Sequence, residues 1–301
     1  PVEEEKENEE TSDLISEEIN KPFVSESEVT IEIPVEESSE EATEEATEEV
    51  TEAAVADQSL QKVLDSGKFI LGLDATFKPM GYTNENDEIV GFDIDVAEEV
   101  CTRMGVELVK EGINWETKEQ DLNAGRIDCI WNGFTMNGRE DAYTWSVPYV
   151  DNSQVIVVAA DSGITDFAGL AGKKVGVQTA SAALDVLQKE EAQKELADTF
   201  AELNEFSDYN TAFLELEAGS VDAIAMDIGV AKYQIESRDA GKFIILDEHL
   251  NAEQYGIGFK LGNTEMKDKV ESALKTLKEN GKFDELAKKY GLEDMTCLSF
   301  E

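Results

Sequence analysis

Four short stretches of this chain carry side chains able to grip a small molecule: Asp74 with Phe77, residues 132–139, residues 178–182, and Asp227. Each follows an apolar run that reads as a buried strand, and open α/β sheets place their ligand groups at strand ends. Together they offer one guanidinium, carboxylates, aromatic rings and small residues that leave backbone N–H groups uncovered. That mixture suits a zwitterion. Arg139 can take a carboxylate through two parallel hydrogen bonds. Amides at the start of a helix after Ala180 can add to it. Asp227 can accept from an ammonium, and Phe77 and Trp115 can enclose the apolar part of a side chain. Structural readings stand beside these: Arg139 can pair with Glu140 or Asp141 on the surface, and Asp227 can cap the helix it precedes.

Other chemistry lacks parts. His249 is the only histidine and sits in a polar stretch away from the other candidates, so histidine triads and metal sites are not expected. No phosphate-binding glycine loop or paired-cysteine motif occurs. The expectation is therefore no catalytic residue, no metal and no cofactor. Cys101 and Cys129 fall at apolar positions and read as small core residues, while Cys297 is left open to a bridge. Trp131 and Met226 read as core.

Positioning such groups needs a particular scaffold, and the chain writes it twice. Residues 122–130 return in type at 216–224, with Leu122, Gly125, Asp128 and Ile130 answered by Leu216, Gly219, Asp222 and Ile224. Each copy reads as a helix end, a glycine stop and a buried strand, downstream of a glycine-centred strand (69–73 and 174–177). Asp128 and Asp222 read as strand-start residues bonding local backbone. Two similar α/β units make two lobes, and two lobes make a cleft.

Periodicity predicts strands at 106–109, 127–131, 154–160, 175–178, 221–226, 243–246 and 255–259. It predicts helices at 91–104, 119–124, 211–218, from Ser181 and after Asp227. Two final helices bury Met266, Val270, Ala273, Leu274 and Leu277, then Phe283, Leu286, Ala287 and Tyr290. Alternation of β and α implies mostly parallel sheets flanked by helices. Crossings near 150–153 and 247–255 would make a hinge.

The 301 residues carry 68 acidic and 25 basic side chains, a net charge of −43. Such a surface excludes nucleic acid, whose phosphates require Lys and Arg, and docking on an anionic membrane face. Residues 1–57 hold 22 acidic and 2 basic side chains, about half the net charge, with one Phe and no Trp or Tyr. That composition cannot offset chain entropy by burial, so 1–57 reads as a disordered acidic leader. A short helix around 40–54 and a transient strand at 29–35 are compatible with it.

Gly91-Phe92-Asp93-Ile94-Asp95-Val96-Ala97 resembles the signature of the extracellular solute-binding proteins of polar amino-acid ABC transporters, bacterial solute-binding protein family 3. The stretches 66–77, 125–128, Trp145-Ser146-Val147-Pro148-Tyr149 and 280–291 are similar to others of its landmarks, so the likeness runs in order from 59 to 291. It implies a two-lobed, periplasmic-binding-protein-like (type II) α/β fold. Each lobe would be a mixed, mostly parallel sheet flanked by helices, joined by a two-strand hinge. Residues 58–152 with 250–301 would form lobe 1 and 153–249 lobe 2.

By the same resemblance, Arg139 matches the residue for an α-carboxylate, helped by Thr135 and the Ala182 amide, and Asp227 the one for an α-ammonium. Asp74, Phe77 and Trp115 match side-chain positions, and Gln178 a position that varies with substrate. Asn132, Gly133 and Ser181 complete the set. The loop before Arg139 is one residue shorter than usual. The implied partners are a free amino acid, neutral polar or cationic before acidic, and ABC permease subunits. The place implied is extracellular or periplasmic, with a membrane link only through an N-terminal lipid anchor ahead of Pro1 and 1–57 as tether. A cyclohexadienyl (prephenate or arogenate) dehydratase-like enzyme with Asp74 as its acid, and a ligand sensor, are the alternatives.

Overall fold

The computed structural model describes residues 56–189 and 192–300. The expected acidic leader, with its candidate helix at 40–54 and strand at 29–35, lies outside the described residues except for Ala56 and Asp57. Asp57 accepts hydrogen bonds from Thr264 Oγ1 (3.1 Å) and Glu265 N (2.7 Å), tying the chain's entry to a later helix.

The first part of the chain forms α1 (Ser59–Ser66), β1 (Lys68–Leu73), β2 (Thr76–Phe77), β3 (Gly81–Thr83), β4 (Ile89–Val90), α2 (Phe92–Met104), β5 (Glu107–Gly112), α3 (Lys118–Asn123), β6 (Cys129–Thr135), β7 (Thr144–Trp145) and β8 (Val150–Ala159). The rest forms β9 (Lys174–Gln178), α4 (Ala182–Gln188), α5 (Lys194–Ala197), β10 (Glu202–Phe206), α6 (Tyr209–Ala218), β11 (Ala223–Asp227), α7 (Ile228–Glu236), β12 (Phe243–Phe259), α8 (Thr264–Glu279) and α9 (Lys282–Lys289).

Among the described residues the main sheet runs β10-β9-β11-β8-β12-β6-β1-β5, with β7 on β12. Its two ends mirror each other. At one, β1 pairs in parallel with β5 and β6; at the other, β9 pairs in parallel with β10 and β11. Each end then meets a central strand antiparallel, β6 against β12 and β11 against β8. The central pair, β8 with β12, passes between the two lobes and is the hinge. Every residue of β6 and β11 is buried, as expected of strands covered on both faces.

The sequence pattern suggested separate strands at 243–246 and 255–259. The structure has one 17-residue strand, β12, with register shifts around His249. The polar stretch between the two apolar runs stays extended because β8 supplies its backbone partners.

The repeated unit holds the two ends alike. Gly125 and Gly219 take positive φ after α3 and α6 (70° and 75°), a conformation that costs glycine little. Asp128 Oδ2 accepts from Ile70 N (2.8 Å), and Asp222 Oδ2 accepts from Lys174 N (2.9 Å). This corrects the expectation of local bonding. Each aspartate reaches the neighbouring strand instead, where the parallel ladder leaves an N–H without a partner. Trp131, Met226, Cys101 and Cys129 are core, and the three cysteines are free. α8 and α9 bury the apolar stripes expected of them and pack on α2, except that Tyr290 is half-buried at the C-cap of α9.

Candidate functional site

The carboxyl ends of β1, β6, β9 and β11 face one another beside the hinge. Nine of the eleven expected residues line one cavity there: Phe77, Trp115, Gly133, Thr135, Arg139, Gln178, Ser181, Ala182 and Asp227, joined by Phe134. Its free space is about 20 Å³, room for roughly one water. The cleft is shut. A roomier groove of about 640 Å³, bordered by Lys78, Tyr82, Tyr233 and Arg238, contains none of the expected residues.

Asp74 and Asn132 stand behind the wall. Asn132 Oδ1 accepts from Asp74 N (3.0 Å), fixing the turn after β1. Asp74 Oδ1 accepts from Thr76 Oγ1 (2.7 Å), and Asp74 Oδ2 accepts from Gln178 Nε2 (2.7 Å) across the cleft. Asp74 therefore reaches the cavity through Gln178.

Gly133 brings its backbone to the cavity wall at φ 53°, and a Cβ there would lie 2.9 Å from Phe77 and 3.0 Å from Tyr255. Its N–H is held by Asp93 Oδ2 at 2.7 Å. Asp93 is fully buried, and that burial pushes its carboxyl up to about 7. The first aspartate of the 91–97 signature is thus explained: Asp93 anchors the loop that shapes the site.

Arg139 does not pair with Glu140 or Asp141. Its Nη2 donates to Asp185 Oδ2 (2.7 Å) in the first turn of α4, across the cleft. The Trp145 indole N–H holds the Arg139 carbonyl (3.0 Å), and the guanidinium lies 5.3 Å from the centre of the Phe134 ring. The short loop therefore delivers the arginine to the cavity. Ser181 caps α4 through Leu184 N (3.2 Å). Lys118, almost fully buried, donates to the carbonyls of Trp115 and Ala180 (both 3.1 Å), the second again across the cleft. Burial, then the nearby Arg139, holds its ammonium down to about 8.

Asp227 occupies the N-cap position of α7 but makes no side-chain cap bond. Its Oδ1 accepts instead from Asn152 (2.8 Å), Gln154 (2.9 Å) and the Tyr255 hydroxyl (2.6 Å). This leaves Oδ2 available to the cavity. Burial first, then the neighbouring Glu253, pushes the Asp227 carboxyl up to about 7.

Sequence reading held Phe134 only as part of 132–139 and missed Asp185, Lys118, Glu253, Asn152 and Gln154. Some signals were there. Asp185 lies four residues after Ser181 and so on the same helix face. Asn152 and Gln154 alternate at period two beside a Val-rich run, which places both on one strand face. Lys118 gave none, since an isolated lysine in a charged stretch reads as surface.

Residues 69–293 match the family described as bacterial extracellular solute-binding proteins, family 3. The arginine-binding extracellular protein ArtP of Bacillus subtilis (strain 168) is 31% identical over 74% of this chain and 86% of its own length. The L-cystine-binding protein TcyJ of Escherichia coli (strain K12) is 25% identical over 80% and 89%. Among solved structures, an ABC uptake transporter substrate-binding protein from Streptococcus pneumoniae with bound histidine superposes with a TM-score of 0.77 at 29% identity. That superposition covers 81% of this chain and 99% of the other.

Proposed function

The chain belongs to the bacterial extracellular solute-binding proteins of family 3, and on that premise we propose that it captures a free polar amino acid between its lobes and delivers it to an ABC permease. The observation carrying this reading is that Arg139, after β6, and Asp227, at the end of β11, come from opposite lobes and line one cavity. A guanidinium and a carboxylate so placed match the two charged ends of an α-amino acid. Closing the lobes excludes water and strengthens both contacts.

The lobes are taken as 58–152 with 250–301, and 153–249. The cavity has room for little in the closed form, so the ligand enters as the hinge opens, breaking the Gln178–Asp74, Lys118–Ala180 and Arg139–Asp185 contacts. Phe77, Trp115 and Phe134 then enclose the side chain, and Gln178, backed by Asp74, meets its polar end. That end favours neutral polar or cationic side chains over acidic ones. ArtP and TcyJ, named for arginine and L-cystine, accord with this. No described helix is long and apolar enough to cross a membrane. Residues 1–57 serve as an acidic tether to the cell surface.

The test is a thermal-shift screen against L-amino acids and L-cystine. A ligand at 100 times its Kd adds about 2.7 kcal/mol of stability. Arg139→Ala should abolish the shift while leaving circular dichroism unchanged, and near-native affinity in that variant would remove Arg139 from the site. A dehydratase would need an acid in the cavity, and Asp74, the acid expected for it, reaches the cavity only through Gln178. Turnover of prephenate or arogenate would favour that reading over capture.

A further inference from the structure

Glu253 sits on the hinge strand β12 directly opposite Asn152 on β8. Asn152 Nδ2 donates to Asp227 Oδ1 (2.8 Å) and to Glu253 Oε1 (2.7 Å). Gln154 Nε2 does the same, at 2.9 and 2.7 Å. Both N–H bonds of both amides are therefore spent on two carboxylates, and the amide oxygens are left buried without partners. Thr135 Oγ1 adds a third donor to Glu253 Oε1 (2.8 Å).

The two acids are each 4% exposed, and among the described residues neither forms a salt bridge. The cations of the cleft are engaged elsewhere, Arg139 with Asp185 and Lys118 with two carbonyls. The other titratable groups around the pair are Tyr255 on β12, Tyr209 on α6 and Asp74 after β1, with His249 exposed further along β12. Burial raises both tyrosines well above 10, so they stay neutral. Two adjacent buried carboxylates with hydrogen-bond donors but no counter-charge are short of one positive charge.

We propose that Glu253 completes the ammonium seat: crowded by Glu253, Asp227 holds one proton while the shut cavity is without an amino acid, and the α-ammonium of the captured amino acid replaces it. This rests on the amino-acid reading above. The proton leaves to solvent, the ammonium takes its place at Asp227 Oδ2, and the charge on the pair stays balanced. Capture is thereby coupled to proton release, and Glu253 is a positioning residue acting through Asp227.

The probes are L-arginine and L-cystine, in a His249→Gln background that removes the exposed imidazole. Calorimetry in two buffers of different ionisation enthalpy reads the protons released on binding. The expected release at pH 6 is close to one, with affinity falling about tenfold per pH unit below neutrality. Glu253→Gln keeps the side-chain shape and removes the second charge, so release should fall below about one third and the pH slope flatten. If Glu253 only braces the hinge, the variant changes melting temperature while proton release and slope stay as in the parent, which overturns the proposal.

A measurement without ligand separates the two readings. Carboxyl carbon NMR of the ligand-free parent protein at pH 6 should show Asp227 protonated, and a fully ionised Asp227 there would overturn the proposal. Should no amino acid of the thermal-shift screen bind, the capture reading fails while this titration still decides the pair.

Discussion

Arg139 and Asp185 form an ion pair across the cleft, 2.7 Å from Nη2 to Oδ2, with the arginine side chain 13% and the aspartate 39% exposed. The carboxylate on α4 thus occupies one edge of the group proposed to receive the ligand's own carboxylate. The pair works as a latch between lobes. Solvent reaches the aspartate, so the latch contributes at most about 1 kcal/mol. Asp185→Asn should shift the ligand-free protein toward open forms, seen as a larger radius of gyration in solution scattering at low salt. An unchanged scattering curve would deny the latch.

Lys118 gives a prediction at the other end of the pH scale. Its folded-state pKa, about 8, lies below the ordinary 10.5. Between those values the unfolded chain holds the proton and the folded one does not, so the contribution of Lys118 to stability rises with pH. The stability difference between wild type and Lys118→Met should therefore grow in favour of wild type from pH 8 to 10, by up to about 1.4 kcal/mol per unit. Urea melts at pH 7, 8, 9 and 10 check the sign; a flat difference would mean the ammonium is well solvated.

Gly133→Ala combines a positive φ of 53° with a Cβ 2.9 Å from Phe77. A non-glycine residue in that conformation costs about 1–2 kcal/mol before any clash, so a loss of about 2–3 kcal/mol is expected. Because Phe77 must give way, ligand affinity should fall too. A variant with wild-type melting temperature and affinity would show that the wall yields freely.

The paired aspartates of the repeat offer a control away from the cavity. Asp128→Ala removes the bond to Ile70 N and should cost about 1–2 kcal/mol. Asp222→Ala, with its side chain 41% exposed, should cost about half as much. They serve opposite ends of the sheet, so the double variant should be additive within about 0.5 kcal/mol. Ligand affinity should not move in any of the three, as calorimetry will show; a change would place these residues in the binding machinery.

Much of this was readable from the sequence because its parts are local. The duplicated helix-glycine-strand unit marks both halves of the sheet, and nine of eleven strand-end residues reach one cavity. What escaped depends on distance in sequence. Glu253 and Asn152 meet only through the β8–β12 register, and nothing near Glu253 sets it apart in a chain with 68 acidic residues. The polar run in β12 read as a break because strand patterning counts apolar alternation, whereas here pairing with β8 keeps it extended. Asp74 and Asn132 read as ligand groups because strand ends identify neighbourhood but not which way a side chain turns.

The route of the chain through the sheet also bears on how the protein is made. β9, β10 and β11 all fall between β8 and β12 in sequence, so that half can assemble from one uninterrupted segment. The other half cannot: β6 must wait for β12, with Cys129 paired to Phe259, and α2 must wait for α8 and α9 to cover it. On a ribosome that releases about 5–20 residues per second, the early-emerging segment stays incomplete for several seconds after its own residues have appeared. Until then the edge of β6 that β12 covers in the finished fold lacks its partner strand.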